Sequence, residues 1–115
     1  MPLKTQTSPD NPDVVVIYLS GRLDVNYSLS IEDEINKLIQ QDHIKLVINL
    51  QDVEYLSSSG LRIFIATSRQ LKIKNGILKL VKMPDAVKKV FMVVELLDMF
   101  EVFESNEAAL ASFKK

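Results

Sequence analysis

Three short apolar runs constrain this chain more than any other feature: Val14-Val15-Val16-Ile17-Tyr18-Leu19, Leu46-Val47-Ile48-Asn49-Leu50 and Ile77-Leu78-Lys79-Leu80-Val81. Each is short, rich in β-branched or large aliphatic side chains, and lacks the polar alternation of a half-wet strand. Such runs read as strands covered on both faces. The segments between them carry helical period instead. Ile31, Ile35, Leu38 and Ile39 predict an amphipathic helix over Ser28–Gln41, with Glu32, Asp33 and Glu34 in its first half, where the helix dipole favours acids. A second helix follows Ser57 and runs to about Ile73, with Leu61, Phe64, Ile65 and Leu71 on one side and Asn75-Gly76 as its stop. Pro84 suits the first position of a third helix, which Val87, Val90, Phe91 and Val94 carry to about Glu95. Strands alternating with helices predict an α/β domain with a mixed sheet.

The ends of the chain complete this pattern. Leu3–Thr7 reads as a short edge strand, and Ser8–Asp13 as a turn cluster built on Pro9 and Pro12. Ser20-Gly21 should end the first buried strand. Val102-Phe103 offers a last short strand, and Ser105 can cap a helix through Phe113. The expectation is one domain over 1–115, with four to five short strands and about four helices.

Composition narrows the chemistry. The chain has 115 residues, no cysteine and a formal charge of −1. Disulfide scaffolds, thiolate metal sites and thiol nucleophiles are excluded. Near charge balance gives no global attraction to nucleic acid or anionic lipid. The start, Met1–Thr7, has no apolar core of signal-peptide length, and the longest apolar runs fall far short of the roughly twenty residues a membrane helix needs. A cytoplasmic protein, monomeric by default, with no nucleic-acid or membrane partner, is expected.

One segment does not read as packing: Asp52-Val53-Glu54-Tyr55-Leu56-Ser57-Ser58-Ser59-Gly60-Leu61. It leaves a buried strand and opens a helix. Three consecutive serines there lie beside the free N–H groups of a helix's first turn. The residues alone leave two readings open. One serine caps the helix and the others are solvated, or a hydroxyl is chemically modified, since a phosphate would meet the positive helix end.

This segment resembles the Asp-x-x-x-Leu-Ser-Ser-x-Gly-Leu pattern of bacterial anti-sigma-factor antagonists of the STAS domain class. Ser20-Gly21-Arg22-Leu23-Asp24 is similar to that family's Gly-x-(Leu/Ile)-Asp turn, and Leu97–Phe103 with Glu107-Ala108-Ala109-Leu110 to its usual ending. The resemblance, which spans nearly the whole chain, implies a domain that catalyses nothing and needs no cofactor or metal. It implies that the unmodified protein binds a serine kinase of the ATP-binding, histidine-kinase-like type, which doubles as the anti-sigma factor, and so frees the sigma factor. It implies phosphorylation of Ser58 by that kinase, with release, and a PP2C-type phosphatase as the reset. Many members have Asp where this chain has Ser57, so Ser57 is a second candidate hydroxyl and Ser59 a third. Asp24, Ser57, Ser58, Ser59, Gly60 and Arg62 are the expected partner-binding residues. Arg62 stands four residues after Ser58, on the same helix face; it is free to meet solvent, nearby acids, the phosphate or the partner.

Other candidates weigh less. His43 is the sole histidine and reads as a solvated turn residue. No Gly-x-Ser-x-Gly elbow or Walker loop is present. Glu32, Asp33 and Glu34 point around a helix and cannot converge on one metal. Arg62, Arg69, Lys72 and Lys74 make the second helix basic. Met83, Met92, Met99 and Phe100 read mostly as core, with Met92 and Met99 the ones open to solvent or a partner. The competing functions are a STAS module that binds a nucleotide or other anion at the serine-rich helix start without switching, a partner-switching regulator whose output is not a sigma factor, and a small serine-dependent enzyme.

Overall fold

The computed structural model describes residues 4–8, 11–93 and 99–113. Chain order gives β1 (Lys4–Ser8), β2 (Asn11–Leu23), α1 (Val25–Gln40), β3 (Lys45–Leu56), α2 (Ser58–Ile73), β4 (Ile77–Val81), α3 (Asp85–Val93), β5 (Glu101–Phe103) and α4 (Asn106–Ser112). The five strands lie in one sheet in chain order; β1 runs antiparallel to β2, and every other neighbouring pair is parallel. The expected mixed α/β architecture is thus present, with the four helices needed to cover it.

Strand alternation sorts the core into two layers. Val15, Ile17, Leu19, Leu46, Ile48, Leu50 and Leu80 face the buried sides of α1, α2 and α3, which supply Ile31, Ile35, Ile39, Leu61, Phe64, Leu71, Val87 and Phe91. Phe91 packs on Phe64 and edge-on to Phe100, with ring centres 5.7 and 5.6 Å apart. On the opposite face Val14, Val16, Val47 and Val81 meet Ala109 of α4, flanked by Tyr18, Phe103, Leu110 and Phe113. Double coverage explains why the three apolar runs need no polar face.

The thinner α4 side is fastened by polar contacts. Asn49 donates to Asn106 at 3.0 Å, Asn106 to the Tyr18 hydroxyl at 2.9 Å, and Tyr18 to Gln6 at 2.8 Å. Lys79 is 5% exposed. Its ammonium donates to Ser112 Oγ, lies 3.5 Å from Glu101 and sits 4.4 Å from the centre of the Phe113 ring.

Several boundaries differ from the sequence expectation. Ser20-Gly21 does not end β2, which continues to Leu23. Gly21 takes φ +76° there, a conformation open to glycine, and the pairing with β3 shifts register at Tyr18/Ser20 and Gly21/Arg22. Likewise β3 does not stop at Leu50; most of Gln51–Ser57 is strand. α1 starts at Val25, not Ser28, so its first turn carries no acid. Pro84 precedes α3, its carbonyl accepting the Lys88 N–H at 2.8 Å. Ile65 is only half-buried, and Ile63 and Thr67 take core positions. Met83 and Phe100 pack in the core, while Met92 and Met99 are exposed. Leu3, Pro9, Asp10, Val94, Glu95, Leu97 and Asp98 lie outside the described residues. No described helix is long and apolar enough to cross a membrane.

Candidate functional site

β2 and β3 outrun the rest of the sheet. β4 last pairs with β3 at Val81 opposite Asn49, whereas β2 and β3 stay paired as far as Leu23 opposite Leu56. The pair therefore projects beyond β4 as a two-stranded ribbon. Both of its strands turn directly into helices, so the two helix starts sit side by side at one tip.

Each start is capped by the first residue past its strand. Asp24, with extended backbone, accepts the Tyr27 N–H on Oδ1 at 3.0 Å and caps α1. Ser57 accepts the Gly60 N–H on Oγ at 3.1 Å and caps α2. Its hydroxyl also donates to the Leu23 carbonyl at 2.6 Å. The Leu61 N–H goes to the Ser57 carbonyl at 2.9 Å. The N–H groups of Ser58 and Ser59 keep no partner among the described residues. Two positive helix ends thus stand together, with open donors on α2.

The three serines are not equivalent. Ser57 is half-buried and its hydroxyl both donates and accepts. Ser58 is the first residue of α2, exposed, with no side-chain hydrogen bond among the described residues. Ser59 is half-buried against a narrow cleft between α1 and α2. Gly60 is buried, and a Cβ there would meet Leu56 Cδ1 at 2.7 Å and the Leu23 carbonyl at 3.0 Å. Its close packing lets α2 sit against the ribbon. Arg62 is exposed and makes no ion pair among the described residues.

Sequence reasoning missed the rim of this tip. Val25 and Leu29, one turn apart on α1, are 57% and 55% exposed. Arg22 lies 4.3 Å from the centre of the exposed Tyr55 ring across the ribbon. Ser28, in the cleft with Ser59 and Arg62, was also unseen. The available signal was Asp24 as a helix cap: it moves the start of α1 to Val25 and puts Val25, Ser28 and Leu29 on a helix. The remaining candidates lie elsewhere. His43 is half-buried in the turn after α1, its N–H bonded to the Leu38 carbonyl at 3.0 Å. Asp33 pairs with Lys37 at 3.6 Å. Lys74 reaches the Ile39 carbonyl at 3.0 Å and Asp42 at 3.6 Å, tying the ends of α2 and α1.

An exposed hydroxyl thus stands on paired helix starts, rimmed by open apolar and cationic side chains. The chain belongs to the STAS domain family, whose profile matches residues 6–109. It is 30% identical over 101 residues to BtrV of Bordetella bronchiseptica, named as a candidate anti-sigma factor antagonist, covering 88% of this chain and 87% of that one. It is 26% identical over 100 residues to the anti-sigma-B factor antagonist of Bacillus subtilis, covering 87% and 91%. The fold superimposes with a TM-score of 0.75 on the Bacillus cell fate determinant SpoIIAA in its phosphorylated form, at 23% identity and coverage of 96% and 100%.

Proposed function

We propose that this chain is a cytoplasmic anti-sigma-factor antagonist switched by phosphorylation of Ser58. The observation that carries this reading is the state of the three hydroxyls. Ser57 is committed to the cap, Ser59 is half-buried, and Ser58 stands free at the tip. In the unmodified form, Asp24, Ser58, Ser59 and Arg62, with the open side chains of Val25, Leu29 and Tyr55, bind an ATP-binding serine kinase that also serves as anti-sigma factor. The sigma factor is thereby freed.

The kinase then transfers the γ-phosphoryl group of ATP to Ser58 Oγ. An O–P bond forms, the bond to ADP breaks, and the hydroxyl proton passes to a base of the kinase. The product adds roughly −1.5 to −2 charges near neutral pH, beside Asp24 and in the middle of the contact surface. The phosphate repels acidic groups and resists desolvation in a packed interface. Hydrolysis by a PP2C-type phosphatase restores the binding form.

Phosphate mapping by mass spectrometry, after incubation with ATP and the cognate kinase, tests the assignment. One phosphate on Ser58, and none in Ser58→Ala, is expected; label on Ser57 or Ser59 reassigns the switch. A Ser58→Glu chain should bind the kinase about a hundredfold or more weaker, which corresponds to roughly 3 kcal/mol. Equal affinity would overturn the exclusion mechanism.

A further inference from the structure

A recess of about 590 Å³ lies where β4 and β5 end, and it shares no described residue with the tip. Its volume falls in the range of small-molecule sites. Open α/β sheets take their ligands at this end, outside the carboxyl ends of the strands. Met83, Phe100 and Val102 give the recess an apolar wall, and Phe103 adds a second ring. That wall is held from behind. Phe100 is 8% exposed and packs edge-on to Phe91, while the Lys79 ammonium lies 5.3 Å from the centre of the Phe103 ring. Lys82 and Lys88 also line the recess. Both are exposed, and neither ammonium has a partner among the described residues. The Lys88 N–H bonds to the Pro84 carbonyl at 2.8 Å, and helical side chains lean toward the start of their helix, here toward the end of β4. Lys82 follows β4 at φ +54°. Asp42 and Asn75, the other described non-glycine residues at positive φ, close helices and are residue types that tolerate it. A lysine has no such excuse, and backbone held this way collects at ligand clamps. The Lys82 N–H is fixed on the Phe103 carbonyl at 3.0 Å, which ties the two strand ends together.

We propose that this recess binds a small amphipathic monocarboxylate. The carboxylate meets the ammonium groups of Lys82 and Lys88, and the apolar tail lies along Met83, Phe100 and Val102. The charge of the lining selects a single negative charge. Glu104 is the one carboxylate that lines the recess among the described residues, and with the two lysines it leaves a surplus of one positive charge. A monoanion neutralises that surplus, whereas a dianion such as a phosphate monoester meets Glu104 with charge left over. The apolar wall selects the tail. A bare anion would leave Val102, 37% exposed, facing water, so the tail supplies most of the affinity. The ligand occupies none of the residues assigned to the serine switch, so this site stands or falls independently of that reading.

Met83 reports on the site directly, because it lines the recess while the exposed Met92 and Met99 do not. The full chain, with isotope-labelled methionine methyl groups, is titrated by NMR with octanoate below its micelle threshold. A saturable shift at Met83 is expected, with little change at Met92 and Met99. Hexanoate should bind more weakly, by up to about fourfold for each buried CH₂ it lacks. Octanol and octyl phosphate should both bind more weakly than octanoate. Lys82→Gln and Lys88→Gln should each weaken octanoate by about threefold or more and leave octanol unchanged, and Glu104→Gln should tighten octanoate. All three side chains are exposed, so these exchanges leave the core intact. No saturable shift at Met83, equal affinity for octanoate and octanol, or lysine variants that bind octanoate as the parent does would each overturn the site. Tighter binding of octyl phosphate overturns the monocarboxylate. A Met83 signal that moves on dilution of the ligand-free protein assigns the recess to a second copy of the chain and overturns the proposal as well.

Discussion

The carbonyl oxygen of Leu23 accepts two hydrogen bonds from Ser57, one from its N–H at 3.1 Å and one from its hydroxyl at 2.6 Å. One residue therefore closes the end of β2, opens α2 and joins two neighbouring strands. Ser57→Ala removes the cap and the tie together and should cost about 1–2 kcal/mol. Ser57→Asp can still cap α2, but it sets a carboxylate against the Leu23 carbonyl and should recover only part of that loss. Urea unfolding of the three chains measures the ranking; a Ser57→Ala chain as stable as the parent would show that the tie contributes nothing.

Gly60 lies against the same carbonyl. The methyl of a Gly60→Ala chain would crowd Leu56 Cδ1, which can swing aside, and the Leu23 oxygen, which cannot move without loosening Ser57. A loss of about 1–3 kcal/mol is expected. In a double-mutant cycle with Ser57→Ala the two costs should not add, since both act on one backbone group. Strict additivity would place the strain elsewhere.

Lys79 anchors α4 through Ser112 and the Phe113 ring, and its partner Glu101 is largely exposed at the sheet edge. Water screens that ion pair, so the stem and the hydroxyl bond matter more. Lys79→Met keeps the filling and should stay within about 1 kcal/mol of the parent, whereas Lys79→Ala opens a void and should lose about 2 kcal/mol or more. Hydrogen exchange should rise first in α4. Equal stabilities for the two variants would contradict this account.

Acid should release a contact at the other end of the sheet. The hydrogen bond from Lys45, at 2.7 Å, holds the Asp13 carboxyl below its usual range. A lowered folded-state pKa contributes stability above the unfolded value of about 3.9, and that stability fades as pH falls through the folded value. The gap in stability between the parent and Asp13→Asn should therefore be constant at neutral pH and close below about pH 4. Both side chains are open to solvent, so the gap is small and shrinks with salt. A gap that widened in acid would reverse the assignment.

What was legible in the sequence follows from what is local. Val14–Leu19 and Ile77–Val81 declare buried strands because no wet face could carry them. The shared face of Ser58 and Arg62 follows from helical spacing. The far half of the ribbon was hidden because Ser20-Gly21 looks like a turn, while register shifts and the positive φ of Gly21 let the strand continue. Lys79 stands in a run that reads as covered on both faces; what covers it, Ser112 and Phe113 at the end of α4, is not visible in the strand pattern. The burial of Ser28 is a tertiary property, set where α1 meets α2.

The projection of β2 and β3 past β4 has a mechanical meaning. The acceptor site of a kinase is a recess, and a substrate serine must be delivered into it. Most phosphorylated serines meet that demand on loose chain, which has to be ordered each time it is used. Here the Ser58 hydroxyl stands at the end of a paired ribbon, on the first residue of a helix. On the proposed reading, kinase and phosphatase would each meet the hydroxyl on folded chain, with no segment to order first.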